Sequence, residues 1–174
     1  MKELLVVVEM QNDFIDGALG SSEAENIVDK CVDVIKKFQG DIIATYDTHF
    51  ENYLETLEGK NLPVPHCIKG TRGWELNAKI QNALNQKFYY AIEKNTFGSV
   101  DLPLYIKENY NTEELQVKFI GLCTDICVVS NALLLKAYFP EMKISAYSEC
   151  MAGVSCEKHK AAIETMKSCQ INIL

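Results

Sequence analysis

No stretch of this chain is apolar for long enough to cross a bilayer. The uninterrupted runs, such as residues 4–8 and 132–135, are far shorter than the ~20 residues a membrane helix needs. Positive charge is also scarce: 17 Lys and Arg against 24 Asp and Glu leave a net charge of −7. That balance argues against nucleic acid or an anionic membrane as partner, since both require clustered Lys and Arg. No CxxC pair occurs, because three residues separate Cys123 from Cys127 and five separate Cys150 from Cys156. A structural zinc knuckle is excluded on that count. The seven cysteines are an odd number in a chain that opens Met1-Lys2-Glu3 and runs straight into a strand-like segment without a signal peptide. They read as reduced thiols in a cytoplasmic protein. No GxGxxG follows the first strand, which excludes a dinucleotide-binding Rossmann domain. No repeat, low-complexity segment or Pro/Gly-rich linker divides the chain, so a single domain over residues 1–174 is expected.

What is present alternates between strand and helix signals. Residues 4–8 (Leu-Leu-Val-Val-Val) are apolar without interruption, as in strands buried on both faces. Ser22 and Glu25 have the spacing of a capping box, and Ile27, Val28, Cys31, Val32, Ile35 and Phe38 then share one helical face, with Gly40 closing the helix. Further strands are expected at 41–46, 88–92, 116–122, 143–147 and 171–174. Helices are expected at 74–84, 102–110, 125–138 and 157–168. This order predicts an α/β fold, three layers α/β/α around a mainly parallel six-stranded sheet. The irregular stretch from Asp47 to about Gly73 is long for a compact domain, and such loops are usually functional.

Four polar positions fall at carboxyl ends of strands, where open α/β sheets place their ligand crevices. Glu9 follows the first strand, Asp47 and His49 the second, and Lys94 the third. Cys127 lies in the first turn of the helix after the strand that stops at Gly121. A helix N-terminus favours the thiolate, so Cys127 reads either as a nucleophile or as the buried structural thiol that most free cysteines are. Parallel strands bring these ends to one edge, where a thiol, a lysine and a carboxylate would make a nucleophile with its base and a cationic orienter. Asp47-Thr48-His49 and His66, in the same loop, offer two imidazoles and a carboxylate suited to Zn²⁺, Fe²⁺ or Mn²⁺. The alternative is two unrelated surface-loop histidines. His159, between Lys158 and Lys160, reads as structural or exposed.

These segments together resemble the isochorismatase-like cysteine hydrolases, and within them are most similar to nicotinamidases. Val8-Glu9-Met10-Gln11-Asn12-Asp13-Phe14 resembles the opening motif VDMQNDF. Asp47-Thr48-His49 with Pro65-His66-Cys67 resembles DxH followed by PHC, and Gly70-Thr71-Arg72-Gly73 the glycine turn after that histidine. Lys94-Asn95-Thr96-Phe97-Gly98-Ser99 resembles the segment bearing the family lysine, and residues 121–128 the motif GxxTDxCV. The motifs keep the family order from residue 5 to about 170.

The resemblance implies Cys127 as nucleophile, Lys94 as triad lysine and Glu9 as acid/base carboxylate. It implies an oxyanion hole from the backbone N–H groups of Cys123 and Cys127, with a cis peptide between Leu122 and Cys123. Asp47, His49 and His66 match metal ligands. Some nicotinamidases add a glutamate from the intervening loop, and Glu58 stands at a similar offset from His49, with Glu51 and Glu55 also available. Phe14 matches an aromatic that packs on the substrate ring. The implied reaction is metal-assisted hydrolysis of nicotinamide through a Cys127 thioester, as in NAD salvage, with a small-molecule amide as partner and a homo-oligomer (dimer or tetramer) as assembly. Other readings are a hydrolase of a different small amide, ureido or carbamoyl compound, and a non-catalytic homologue that only binds. Isochorismate is a poorer fit, because isochorismatases do not use the cysteine kept here.

Three departures stand out. The family carboxylate is aspartate, whereas Glu9 is one methylene longer, so it either adopts a shifted rotamer or marks an impaired site. Leu62 or Pro63 stands where the family often has an aromatic shortly before the metal histidine. Cys123 replaces a common small residue of the oxyanion loop.

Overall fold

The first strand, β1 (Lys2–Val8), lies at the centre of the sheet, and its side chains explain why. Leu4, Leu5, Val6, Val7 and Val8 are all fully buried, yet they serve two different cores. Leu5 and Val7 join the cluster on one face, and Leu4, Val6 and Val8 the cluster on the other. The period of two along a strand thus distributes a continuous apolar run between two helical layers. The computed structural model describes residues 1–174. After β1 come α1 (Asn12–Ile15), α2 (Ser22–Lys37), β2 (Asp41–Asp47), a 3₁₀ turn (Tyr53–Glu55), α3 (Leu57–Asn61), α4 (Ala78–Leu84), β3 (Tyr89–Lys94) and α5 (Asp101–Asn109). Then follow β4 (Leu115–Leu122), a π-helical turn (Thr124–Val128), α6 (Val129–Tyr138), β5 (Lys143–Ala152), α7 (Cys156–Ser168) and β6 (Asn172–Ile173). The sheet order is β3-β2-β1-β4-β5-β6, with every pairing parallel. The chain therefore leaves β1 on one side and returns through β4 on the other. The carboxyl ends of β1 and β4 form the switch point at which such sheets bind ligands.

Several boundaries differ from the sequence expectation, each for a local reason. Helix α2 is capped by Ser21, not Ser22: Ser21 is extended and its Oγ accepts from Ala24 N at 3.1 Å, while the Ser22 hydroxyl donates to Glu23 instead. It ends at Lys37, because Phe38 turns to an extended conformation well before Gly40. Trp74 does not begin a helix. Its N–H closes a turn onto Thr71 O, and Asn77 caps α4 by accepting from Lys79 N at 3.0 Å. Strand β5 continues to Ala152, beyond the expected 147, through a register break: Phe119 pairs with Ala146 but Gly121 with Met151. A bulge of this kind re-aims the strand end, here immediately before the Cys127 turn. No helix is long and apolar enough to cross a membrane.

Candidate active site

Four strand ends deliver the polar side chains, and the first is shaped by backbone conformation. Glu9 directly follows β1 with φ of 48°, a left-handed conformation unusual for a non-glycine residue and frequent at functional sites. Its backbone N–H is held by Thr45 O at 3.1 Å, and its side chain is fully buried. Glu9 Oε1 lies 2.5 Å from Lys94 Nζ, an ion-pair contact outside good hydrogen-bond angles, and Oε2 has no protein partner. The extra methylene relative to an aspartate therefore still brings the carboxylate to the lysine. Lys94, at the end of β3, donates to Thr96 O at 2.6 Å and to Cys127 Sγ at 3.6 Å. Cys127 is buried within the π-helical turn, a distortion frequent at functional sites. The peptide before the turn, Leu122–Cys123, is cis, as the sequence resemblance implies.

Glycine fixes where that turn begins. Gly121 has φ of +118°, and a Cβ there would stand 2.0 Å from Val8 O. Only glycine lets the end of β4 lie this close to the end of β1, which carries Glu9.

Ionisation follows from burial and neighbours. Burial pushes the Glu9 carboxyl up to about 7, against the downward pull of Lys94. Burial also pushes the Cys127 thiol well above its ordinary range, and the Glu9 charge adds to this while Lys94 opposes it. Lys94 is held above its usual range, because attraction to Glu9, Cys127 and Asp47 outweighs its burial. Burial and the Glu9 charge thus favour the thiol form of Cys127, against the pull of the helix N-terminus and Lys94, beside a carboxyl raised to about 7. Proton transfer from Cys127 to Glu9 therefore runs uphill in the resting site, and Lys94, whose charge favours the anionic form of both groups, lowers its cost.

A second constellation adjoins the first. Asp47 Oδ2 lies 3.0 Å from His49 Nε2 and 3.3 Å from His66 Nε2, and Glu58 Oε1 lies 3.7 and 3.6 Å from the same two nitrogens. One ligand atom from each of these four residues falls within 4.8 Å of the others. Of the three loop glutamates, Glu58 is the one in this cluster. His66 Nδ1 stands 2.8 Å from Val64 O, which favours Nδ1–H as donor and turns Nε2 towards the cluster. Burial alone would raise Asp47, but hydrogen bonds to His49 and His66 and the charge of Lys94 hold its carboxyl well below the usual carboxylate range. His66 is raised, since Asp47 outweighs burial. The donor set of two imidazoles and two carboxylates, with a fixed tautomer, fits a divalent cation. Asp47 joins the two constellations, because its Oδ1 is 3.8 Å from Lys94 Nζ.

The structure also brings in residues to which sequence reasoning gave no role. Gln11, fully buried, donates to Asp47 O and accepts from Asp47 N, both at 2.8 Å, pinning the backbone that aims the carboxylate. Asp13 Oδ2 accepts from Cys67 N at 2.8 Å and anchors the segment carrying His66. Tyr53 packs edge-on against His49 and His66, with centroids 4.8 and 5.0 Å away, where a plain irregular loop was expected. A buried polar pair directly after a strand end was the available signal for Gln11; nothing in the local pattern singled out Tyr53. Phe14, buried, lies edge-on to His66 with ring centroids 5.5 Å apart. Half-buried His159 is structural, its Nδ1 2.8 Å from Thr124 Oγ1 in the Cys127 turn.

A cavity of about 680 Å³ opens beside the histidine cluster; Cys127, Lys94 and Glu9 do not line it, although Asn95 and Ile126, their chain neighbours, do. His49, Tyr53, Glu58, Asn95, Thr96, Phe97 and Ile126 are among the residues that line it. Leu62 lines it too, so an aliphatic side chain stands where an aromatic is common in the family.

Comparison with known proteins shows the family and the fold. The model of the isochorismatase domain matches residues 3–174. An isochorismatase family protein of Bacillus subtilis, PncA, is 31% identical over 94% of this chain and 93% of its own. The crystal structure of a pyrazinamidase/nicotinamidase from Streptococcus mutans superposes with a TM-score of 0.87 at 26% identity, covering 99% of this chain and 100% of that one. A pyrazinamidase of Pyrococcus horikoshii in complex with zinc superposes at 0.81 with 28% identity, covering 100% and 99%.

Proposed function

Because the chain belongs to the isochorismatase family, we propose that it is a metal-assisted cysteine amidohydrolase whose substrate is nicotinamide. Its family and its nicotinamidase relatives make it a hydrolase of a non-peptide amide bond. One observation carries the finer reading: buried Cys127, Lys94 and Glu9 are linked at 3.6 and 2.5 Å, and Asp47 ties them to a cluster of two histidines and a second carboxylate.

In this reading Glu9 accepts the Cys127 proton and the thiolate attacks the carboxamide carbon. Lys94 keeps Glu9 ionised against its burial and favours the thiolate as it forms. The N–H groups of Cys123 and Cys127 receive the developing oxyanion. Protonated Glu9 then gives its proton to the departing nitrogen, which leaves as ammonia and a nicotinoyl thioester on Cys127. Glu9, ionised again, takes a proton from a water that attacks the thioester, releasing nicotinate and returning the thiol. Asp47, His49, His66 and Glu58 would hold a divalent ion, which supplies a Lewis-acid anchor for the pyridine nitrogen, directly or through its water.

The test measures ammonia from purified protein given nicotinamide with Zn²⁺, Fe²⁺ or Mn²⁺, beside a panel of other small amides, ureido and carbamoyl compounds. Release from nicotinamide that disappears in Cys127→Ser supports the reading. Release only from another member of the panel overturns the substrate. Release from none overturns the enzyme.

A further inference from the structure

Asn131 lies outside every motif quoted above, on α6, yet it is fully buried and uses both ends of its amide. Its Nδ2 donates to Cys127 O at 2.8 Å, one helical turn back, and more weakly to Phe97 O at 3.4 Å. Its Oδ1 accepts from Ser99 N at 2.9 Å. The segment it grips is the return from Lys94. Within that segment Thr96 Oγ1 donates to Gly98 O at 2.8 Å, and Thr96 O accepts from Lys94 Nζ at 2.6 Å. Lys94 Nζ in turn reaches Cys127 Sγ. The contacts close a ring that leaves Cys127 by its carbonyl and returns to it by its sulfur. Gly98 makes the closure tight, since a Cβ there would come within 3.3 Å of Ser130 O on α6.

From this geometry we infer that Asn131 is a positioning residue. It clamps the 95–99 segment onto α6 and, through Thr96 O, holds the Lys94 ammonium against Cys127 and Glu9. A helix–loop contact alone would need no such residue, because apolar packing would do. A buried amide satisfied on both sides fixes direction as well as distance. The inference rests on the reading of Cys127 and Lys94 as catalytic. It assigns Asn131 no contact with substrate.

The experiment is a double-mutant cycle with Asn131→Ala and Lys94→Met in the full-length chain, read as kcat and KM for nicotinamide. A misplacement of about 1 Å can cost on the order of 100-fold in rate, so Asn131→Ala should lower kcat by about 10- to 100-fold with KM nearly unchanged. If Asn131 acts through Lys94, adding Asn131→Ala to Lys94→Met should cost nothing more, whereas independent structural damage would multiply the two losses. Thermal melting of each variant separates misplacement from unfolding. If Asn131→Ala does not fold, Asn131→Thr replaces it in the cycle: its hydroxyl can still bond the Cys127 carbonyl one turn back but not Ser99. A second readout needs no turnover: the ultraviolet thiolate absorbance, wild type minus Cys127→Ser, followed against pH in each background. Asn131→Ala should shift the Cys127 titration upward, in the same direction as Lys94→Met. Multiplying losses, or a titration that Lys94→Met moves and Asn131→Ala does not, overturns the inference even if nicotinamide is not the substrate.

Discussion

Replacing Lys94 by methionine removes the only cation beside Glu9 while keeping most of the side-chain volume, and its consequences can be worked from the structure. With charge centres about 4 Å apart and an effective dielectric near 20, the Lys94–Glu9 attraction is about 4 kcal/mol, or about a thousandfold in the Glu9 ionisation equilibrium. Glu9 already stands at about 7 with Lys94 present, so it is roughly half ionised at neutral pH. Without Lys94 about one molecule in a thousand would carry the base in ionised form, and kcat/KM at pH 7 should fall about 500-fold. The acidic limb of the pH profile should move upward, so that much of the loss is recovered in alkaline buffer. The fold should survive, because protonation limits the damage. A neutral Glu9, ordinarily at 4.5, costs about 3 kcal/mol at pH 7, and the wild type already carries most of that. Steady-state rates from pH 5 to about 10, with melting curves at each end, test this. A loss of equal size at every pH, or no loss, would refute the assignment of Lys94 as the group that keeps Glu9 ionised.

Four further outcomes follow from the same geometry. Because burial raises the folded-state Glu9 carboxyl to about 7, its contribution to stability is fully present below 4.5 and is lost as pH rises through 7. Glu9→Gln should therefore flatten that part of the Tm-against-pH curve by about 3 kcal/mol while abolishing ammonia release; an unchanged curve would contradict the buried, raised carboxyl. Gly121→Ala should destabilise by roughly 3 kcal/mol or more in denaturant melts and remove activity, since φ is +118° and the new Cβ would meet Val8 O. His66→Ala should weaken metal retention at least 10-fold in a chelator competition and raise KM more than it lowers kcat; unaltered retention would dismiss the site. Adding Zn²⁺ in excess over its Kd to metal-free protein should raise Tm, by about 2.7 kcal/mol of stability at 100 times Kd, and a flat response would show that this ion is not held.

Much of this was legible in the chain because the informative residues obey local rules. The unbroken apolar run of residues 4–8 announces a strand buried on both faces, and strand ends announce where Glu9, Asp47, Lys94 and Cys127 converge. The sequence motifs place Asp47, His49 and His66 together, and they do meet. What escaped depends on distant partners. The choice of Ser21 over Ser22 as cap turns on one backbone conformation, and the extension of β5 on a register break against β4. Glu58 could not be chosen over Glu51 and Glu55 by spacing, because α3 decides which carboxylate faces the histidines. The upward push on the Cys127 thiol was not legible for a similar reason: a helix start is local, but burial and the Glu9 charge are properties of the assembled site.

The central claim is that Cys127 carries the acyl group as a thioester, and hydroxylamine competition tests it most directly. Hydroxylamine captures a thioester as the hydroxamate, so purified protein turning over nicotinamide in its presence should yield nicotinohydroxamate alongside nicotinate. The share should rise with hydroxylamine concentration, and Cys127→Ser should form neither product. Continued release of ammonia by Cys127→Ser, or release by the wild type with no hydroxamate at any hydroxylamine concentration, would contradict the account.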